Sequence, residues 1–384
     1  MEWFERLRAE FPAAQKQIYA EIALTNVVPN CVVETVCAFL KRAGSGDNDK
    51  KLWNYDLMRI RGKIAQLVNA RSNEIAFTKN TAEGINIIAQ GMNLKPRDNV
   101  VVIDQEHLNN LLPWLNLKSQ GIEVRVVASQ NSRVPVDCIW NEVDAQTRAV
   151  AISSVQYCTG YRVNLPELGR RCQEAGVKLV VDAIQGLGIF QMDIGWGIDA
   201  LACGGHKALM APYGIGILYC RDSFLETLRP AHVGLSTQLE INKTAAWQIR
   251  VRNLRDARRL ELGTLNYPGI FGLEAGIDLL QTAGIGRIQR RVLALSGRLN
   301  GGLRELGYDV LSPEDPDEQS GIVVVAVPDP GDFWRYLRAV GIRATLLDAG
   351  VVRFSLHAYI LEQEIDAIID AAAEYKQSIS PRPF

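Results

Sequence analysis

Lys207 follows two glycines and a histidine in the stretch GGHKALMAPYGIGILY, which begins at Gly204. The P-loop pattern needs glycine directly before the lysine and Ser or Thr after it, whereas His206 and Ala208 flank Lys207. This lysine therefore does not mark a nucleotide hydrolase. A lysine near cations or apolar walls loses proton affinity, and its neutral amine can form a Schiff base with an aldehyde. The alternative is a lysine on a solvated loop.

The segment TKNTAEG, residues 78–84, follows an apolar run and opens a helical pattern. Free backbone N–H groups at Thr81, Ala82 and Glu83 would suit a phosphate dianion at a helix N-terminus. The alternative is a capping box formed by Asn80 and Glu83.

His107 and Asp182 also stand at the ends of apolar runs. His107 follows VVID, where an imidazole could stack on an aromatic ring, move a proton or serve only a structural purpose. Asp182 ends KLVVD, three residues before Gln185. A carboxylate there needs a cation or a hydrogen-bond donor, unless it caps a helix.

In an open parallel sheet, ligands bind beyond the carboxyl ends of the strands. A phosphate site, a ring-stacking histidine, an acid for a ring nitrogen and an imine-forming lysine would then meet at one edge. Pyridoxal 5'-phosphate (PLP) requires these four features. The sequence therefore predicts a PLP site, and no metal is expected.

Short apolar runs rich in β-branched residues alternate with helical patterns from about residue 74 to 220. This alternation predicts an α/β fold with a mainly parallel, seven-stranded sheet and helices on both faces. The seven runs are EIAFT, NVVVID, IEVRVV, RAVAISSV, KLVVDAI, DALACGG and GIGILYC.

Beyond about residue 285 the pattern changes to that of a smaller α+β domain. A helical stretch, IQRRVLALSGRLNGGLRELG, precedes GIVVVAV, the helical GDFWRYLRAV, IRATLL, VVRFSL and a final helix from about 361. We therefore expect a large domain at residues 21–284 and a small domain at 285–384. Residues 1–20 are expected to form an arm that packs with the small domain.

The composition predicts an ordinary soluble protein of 384 residues, with 47% hydrophobic and 22% charged residues. Because 42 basic side chains face 43 acidic ones, no net field favours nucleic acid or a membrane as partner. Seven scattered cysteines without a CxxC pair indicate reduced thiols and a cytoplasmic location. Neither an export signal nor a membrane-spanning run is expected.

Two segments leave alternatives open. HVGLSTQLEINKTAAWQIR, residues 232–250, could line a site for a bulky substrate or pack at a dimer interface. Five arginines lie between residues 250 and 259, and a solvated or subunit-facing helix is favoured there over a nucleic-acid patch.

Four segments resemble, in order and spacing, the class V aminotransferase family of fold type I PLP-dependent enzymes. They are VVDAIQGLG, GGHKALMAPYGIGILY, ELGTLN and VVRFSLHAY, and the resemblance runs from about residue 17 to 375. The family includes cysteine desulfurases, cysteine C-S lyases and isopenicillin N epimerase-like proteins. The resemblance implies the fold of the fold type I PLP-dependent transferases.

The resemblance also implies roles for matching residues. Lys207 would form the Schiff base, Asp182 would pair with the pyridinium nitrogen, and His107 would stack over the ring. The other implied cofactor contacts are Gln185 with the phenolic oxygen, Thr81, Ala82 and His206 with the phosphate, and Thr264 of ELGT reaching in from the partner subunit of a homodimer.

Substrate contacts are implied for Arg353 and Ala23. Arg353 of VVRFSLHAY would clamp the α-carboxylate of an amino acid, a bidentate role that suits a guanidinium. The alternative for Arg353 is a surface strand residue.

Three departures from the family pattern narrow the function. The stretch GIRATLLDAGVVRFSLH, residues 341–357, has no cysteine, so persulfide transfer to a loop thiol is disfavoured. Gly204 stands where a serine usually precedes the GHK triplet, which removes one hydroxyl from the phosphate site. Gln156 and Tyr157 stand where many relatives have an asparagine near the ring oxygen, and either could contact the cofactor.

The expected function is a β-eliminating C-S lyase acting on a cysteine-type substrate or S-conjugate. Its route would be an external aldimine and a quinonoid, with released Lys207 as base. The alternatives are a decarboxylating deaminase, an aminotransferase or an epimerase of specialised metabolism. A PLP-binding regulatory protein is a further alternative, although the presence of Lys207, Asp182 and Arg353 together argues against it.

Overall fold

The computed structural model describes residues 2–234, 238–241 and 251–379. Most of the segment 232–250 falls outside these ranges, so its two alternatives stay open. In the arginine-rich stretch, Arg250 also falls outside these ranges. The helix predicted there is a short 3₁₀ helix, Ala257–Leu260.

The strands are listed here in chain order: β1 (Ile18–Tyr19), β2 (Ile75–Thr78), β3 (Asn99–Ile103), β4 (Glu123–Val127), β5 (Thr147–Ser153), β6 (Lys178–Asp182), β7 (Ala200–Gly204), β8 (Gly216–Cys220), β9 (Gln238–Ile241), β10 (Val251–Asn253), β11 (Asp309–Val310), β12 (Ile322–Ala326), β13 (Ile342–Arg343), β14 (Thr345–Leu347) and β15 (Val351–Ser355).

The α-helices are α1 (Trp3–Ala9), α2 (Asn30–Gly44), α3 (Lys50–Leu67), α4 (Thr81–Gly91), α5 (Leu108–Leu115), α6 (Val136–Trp140), α7 (Leu165–Ala175), α8 (Asp222–Leu225), α9 (Tyr267–Ala283), α10 (Ile285–Glu305), α11 (Pro330–Ala339) and α12 (Glu362–Ile379). None of the described helices is both long enough and apolar enough to cross a bilayer.

The seven predicted runs form one central sheet, in the order β2-β8-β7-β6-β5-β3-β4. All the strands run parallel except β8, which is antiparallel to both β7 and β2. Every residue of β3, β7 and β8 is buried, because helices cover both faces. The prediction of a mainly parallel seven-stranded sheet is confirmed.

Helix α4 lies close against this sheet because it has a glycine where it crosses β7. A Cβ atom at Gly84 would lie 2.8 Å from the Cβ atom of Ala202. The N-terminus of α4 is thereby held beside the carboxyl end of β7, close to Lys207.

The C-terminal part of the chain forms a second, antiparallel sheet in the order β11-β12-β15-β14. The sequence predicts IRATLL as a single run, whereas the structure divides it at Ala344. The run is divided because its two halves have different partners: β13 pairs with β1, and β14 pairs with β15. Strand β11 was not predicted, because it is only two residues long.

The N-terminal residues contact the C-terminal part of the chain. Strand β1 runs parallel to β13, and the guanidinium of Arg8 bonds Glu364 of α12. Gly284 links α9 to α10 at the predicted boundary between the domains. The division into an arm and two domains remains an interpretation.

Candidate active site

A cavity of about 430 Å³ lies at the carboxyl ends of β3, β5, β6 and β7 and reaches the hairpin of β14 and β15. Eight of the predicted site residues line it: Ala23, Thr81, His107, Asp182, Gln185, His206, Lys207 and Arg353. Ala82 and Thr264 are not among the lining residues, and Thr264 is exposed on the surface.

Lys207 lies in a turn that a glycine makes possible. The Gly205 N–H donates to the Ile215 carbonyl at 2.8 Å, and a Cβ atom at Gly205 would lie 2.7 Å from the Cβ atom of Ala211. The lysine is 9% exposed, and its amine makes no hydrogen bond or ion pair within the described part of the chain. Burial and the Arg353 cation lower its pKa. The alternative of a solvated lysine is therefore wrong.

Asp182 is a buried carboxylate, 2% exposed, at the end of β6. One oxygen accepts a hydrogen bond of 2.9 Å from the Ile184 N–H, which belongs to a turn and not to a helix. The other oxygen has no hydrogen-bond donor within the described residues. Burial raises the pKa of this carboxyl, while the Ile184 N–H and the Lys207 cation oppose the rise.

His107 is the N-cap of α5. Its Nδ1 accepts a hydrogen bond of 3.1 Å from the Asn109 N–H, which assigns the proton of the neutral ring to Nε2. Burial and the Lys207 cation lower its pKa, so the imidazole is neutral. Its ring meets Tyr157 edge to face, with centroids 5.0 Å apart.

The N-terminus of α4 has two free donors. The N–H groups of Thr81 and Ala82 have no partner among the described residues, whereas the Glu83 N–H bonds Asn80 Oδ1 at 2.9 Å. The expectation of a third free N–H at Glu83 is therefore wrong. The capping alternative is half right, since Asn80 caps the helix but the Glu83 carboxylate reaches the Lys79 N–H.

His206 is held by stacking. Its ring is stacked on Tyr213 with centroids 4.9 Å apart, and the Tyr213 hydroxyl donates to Thr25 Oγ1 at 2.6 Å. Burial and the Lys207 cation lower the pKa of His206 to about 4. The ring is therefore neutral at physiological pH and can act as a hydrogen-bond donor through one nitrogen.

Gln185 and Ala23 are joined by a hydrogen bond. The side-chain amide of Gln185 donates to the Ala23 carbonyl at 3.0 Å, and the Ala23 N–H donates to Ser355 Oγ at 2.9 Å. Both backbone polar groups of Ala23 are thus occupied. This residue shapes the cavity wall, and its backbone N–H is not available to a ligand.

Arg353, in the middle of β15, is 2% exposed, so its alternative as a surface residue is wrong. Nη1 donates to the Tyr157 carbonyl at 2.9 Å, while Nε has no partner in the described part of the chain. Burial lowers the pKa of this guanidinium to about 10, which leaves it charged at neutral pH. The edge formed by Nε and Nη2 is free to receive a carboxylate.

The structure separates Gln156 from Tyr157. Tyr157 lines the cavity, whereas the Gln156 side chain is fully buried and donates to Glu106 and to the Ser153 carbonyl. Glu106 was not singled out in the sequence, although it precedes His107. Its partners Ser153 and Gln156 come from a distant segment, and no local spacing indicates that contact.

A thiol also lines the cavity at a position that was not singled out. The link between β14 and β15 is only residues 348–350, with no cysteine, and Leu346, Leu347 and Asp348 line the cavity. The cavity thiol is instead Cys158, whose Sγ lies 3.7 Å from the Gln105 carbonyl oxygen. Burial raises its pKa to about 11, so the thiol is protonated at neutral pH.

These observations fit PLP. The cavity brings together a buried amine without a partner, a buried carboxylate with one free oxygen and the N-terminus of a helix, where Thr81 lines the wall and the N–H groups of Thr81 and Ala82 are free. Each is costly to bury alone and matches one part of the cofactor: the aldehyde, the ring nitrogen and the phosphate.

Comparisons with known proteins agree with this fit. The aminotransferase class-V profile matches residues 18–368. A probable cysteine desulfurase of Methanothermobacter thermautotrophicus is 31% identical, over 96% of this chain and 97% of that protein. The apo structure of a cysteine desulfurase from Thermococcus onnurineus NA1 superposes with a TM-score of 0.90 at 27% identity, covering 99% of both chains.

A third comparison concerns the fold alone. A variant of the protein C-DES with glycine covalently linked to its PLP cofactor is 23% identical and superposes with a TM-score of 0.87, over 96% of this chain and 99% of that one. Profile, fold and cavity agree, and the chain belongs to the class V aminotransferase family and is a PLP-dependent enzyme of fold type I.

Proposed function

We propose that the chain cleaves the C–S bond of cysteine or of a cysteine S-conjugate by β-elimination. The chain is a PLP-dependent lyase. With water, cysteine would yield pyruvate, ammonia and hydrogen sulfide. The carrying observation is a cavity where Lys207, Asp182 and the free edge of Arg353 meet, and where Cys158, the one thiol among the described lining residues, has a raised pKa.

Five residues of the same chain would hydrogen-bond the cofactor. The N–H groups of Thr81 and Ala82 and the His206 imidazole would bind the phosphate. Gln185 would bond the phenolic oxygen, and Asp182 would bond the ring nitrogen through its free oxygen. Bound PLP supplies an aldehyde that combines with amines and a ring that withdraws electrons from bonds to the α-carbon.

Asp182 would keep a proton on the ring nitrogen. A carboxylate that faces a pyridinium gains a charge-assisted hydrogen bond, and burial strengthens this interaction because little water competes. His107, neutral and fixed by the Asn109 N–H, would cover one face of the ring.

Arg353 would orient the substrate. Its Nη1 is fixed by the Tyr157 carbonyl, so the guanidinium presents its Nε–Nη2 edge in a set direction. A bidentate bond to the α-carboxylate would then fix which bond of the α-carbon stands perpendicular to the ring.

Lys207 would remove the α-proton. Because burial and Arg353 lower the pKa of its amine, a larger fraction of that amine is neutral near pH 7 than for an exposed lysine. The neutral amine can accept a proton, and the lysine can return it to the leaving sulfur.

Loss of sulfur as a free thiol follows from the state of Cys158. The thiolate is the nucleophile in sulfur transfer, and a thiol with a pKa of about 11 supplies little of it at pH 7. The β14–β15 link carries no cysteine that could approach instead.

The test is product analysis with the holoenzyme. We expect L-cysteine and an S-alkyl cysteine to give pyruvate and ammonia in equal amounts, from the wild type and from Cys158→Ser alike. Lys207→Ala is the negative control and should also abolish borohydride trapping of PLP. Carbon dioxide, a racemised amino acid or an amino-group transfer product would instead identify one of the other outcomes predicted from the sequence.

Desulfuration is the second candidate, because the relative at 31% identity is a probable cysteine desulfurase. In that reaction cysteine and an acceptor thiol give alanine and a persulfide, with no net oxidation. Alanine as the main product, lost in Cys158→Ser, would overturn β-elimination and make Cys158 the acceptor.

A further inference from the structure

We propose that Glu106 is a positioning residue whose buried negative charge acts through Asp182 and favours a proton on the ring nitrogen of the cofactor. The inference rests on the proposed contact between Asp182 and that nitrogen. Glu106 itself does not line the cavity.

Glu106 is 4% exposed and accepts hydrogen bonds from four donors. The Ser153 N–H lies 2.7 Å away and the Ser153 hydroxyl also donates, the Asn110 amide donates at 2.7 Å, and the Gln156 amide donates at 3.1 Å. The carboxylate therefore links the loop of His107 to the end of β5.

This donor set favours the ionised form of the carboxylate, while burial favours the protonated form. A protonated carboxyl needs an acceptor for its proton. Only the Ser153 hydroxyl could serve as one, because the amides of Asn110 and Gln156 turn their nitrogens toward Glu106 while their oxygens have no partner among the described residues. Burial raises the pKa of Glu106, and the bonds from Ser153, Asn110 and Gln156 oppose that rise.

The network lies next to Asp182. Ser153 is paired in register with Asp182 across β5 and β6, so the carboxylate that Ser153 binds lies close to the acid at the cofactor. The charge of Glu106 raises the pKa of Asp182. A second negative charge raises the proton affinity of the pair formed by Asp182 and the ring nitrogen, whichever of the two carries the proton.

The charged and titratable groups around this pair are few. Asp182 interacts electrostatically with the Lys207 amine, the Cys203 thiol and Glu106, and Arg353 acts on Lys207 from β15. Glu106 interacts electrostatically with Asp182 and Cys158. Lys207 and Arg353 favour loss of a proton from this region, and Glu106 is the buried anion that opposes them.

Titration of the ring nitrogen tests this inference. PLP labelled with ¹⁵N in its ring is loaded into the wild type and into Glu106→Gln, and the ¹⁵N shift is followed against pH. Removing the negative charge of Glu106 should lower the pH at which the ring nitrogen loses its proton by about one unit. The pH at which the visible band changes should fall in the same direction.

The matched control is Glu106→Asp, which keeps the charge but breaks part of the network. We expect it to melt at a lower temperature than the wild type and yet to titrate within about 0.3 pH units of it. If Glu106→Gln does not accumulate as folded holoenzyme, Glu106→Asp decides alone. If the midpoint of the ring-nitrogen titration falls together with the melting temperature in Glu106→Asp, the role of Glu106 is structural and the proposal is wrong.

The outcomes separate this inference from the proposed function. A wild-type protein that shows no bound ring signal would remove the proposed cofactor contacts. A normal wild-type signal with the same midpoint in Glu106→Gln would overturn only the role of Glu106.

Discussion

The amine of Lys207 is influenced by two charges of opposite sign. Arg353 disfavours its protonated form, Asp182 favours it, and burial acts in the same direction as Arg353. Because the sum lowers the pKa, the amine should take up PLP at a lower pH than an exposed lysine would.

Arg353→Gln should reverse part of this shift. Removing a nearby cation makes the ammonium form more favourable, so the lysine pKa rises and less neutral amine exists at a given pH. The rate at which apoprotein takes up PLP should then rise with pH over a range about one unit higher than in the wild type. Stopped-flow absorbance from pH 6 to 10 measures this.

Arg343→Gln is the matched control for this titration. Arg343 is a partly exposed arginine near Glu21, and it does not line the cavity. It should leave the uptake profile unchanged. An Arg353→Gln profile that overlays the wild type would refute the electrostatic role of Arg353.

At the scale of single residues, the sequence predicts the cavity because its residues follow apolar runs. Lys207, Asp182 and His107 each stand where a strand ends, and strand ends of a parallel sheet meet. Glu106 and Cys158 could not be predicted in this way, because their contacts depend on how two loops approach one another. The roles inferred from the resemblance remain predictions.

Helix α4 brings its N-terminus, with Thr81, to the cavity because Gly84 lets the helix approach the sheet. A methyl group there would lie 2.8 Å from the Cβ atom of Ala202, which belongs to a buried strand and has little freedom to move. Any shift of α4 would also move Thr81, whose hydroxyl accepts the Gly204 N–H at 2.9 Å.

Gly84→Ala should therefore weaken both stability and cofactor binding. We expect a loss of about 1–3 kcal/mol in the free energy of unfolding, from overpacking, together with a higher Kd for PLP. Urea unfolding and PLP titration measure the two effects.

Gly62→Ala is the matched substitution in helix α3. A Cβ atom at Gly62 has no neighbour within 4 Å, so this change should stabilise the helix by about 0.5–1 kcal/mol and leave PLP binding unchanged. Equal effects of the two substitutions would contradict the packing argument.

At the scale of elements, the sequence predicts all seven strands of the large sheet because each is a short run rich in apolar residues, although β4 also contains Glu123 and Arg125. It does not predict that IRATLL forms two strands, because the break at Ala344 depends on pairing with β1 near the other end of the chain. Strand pairing between distant segments leaves no periodic trace in either one.

At the scale of the whole molecule, the homodimer remains a prediction with a specific consequence. Thr264 is exposed and lies outside the cavity of its own chain, as expected for a residue that serves a second subunit. Light scattering should give twice the chain mass of 42.5 kDa.

Mixed dimers test whether the sites are shared. Lys207→Ala and Thr264→Ala subunits, each weak alone, should regain about a quarter of wild-type activity after random reassociation, because each mixed dimer has one complete site. No recovery, with both variants dimeric, would mean that Thr264 serves only its own chain.

The hydrogen bond between Ala23 and Ser355 determines when, during synthesis, the chain can enclose its cofactor. These residues are 332 positions apart, and Ser355 also donates from its N–H to the Ala20 carbonyl at 2.7 Å. During synthesis the segment around Ala23 emerges long before its partner strand. The wall that Ala23 forms is thus completed only after β15 has emerged, so a nascent chain halted before β15 would hold Lys207 and Asp182 without the enclosure that a vitamin B6 cofactor needs.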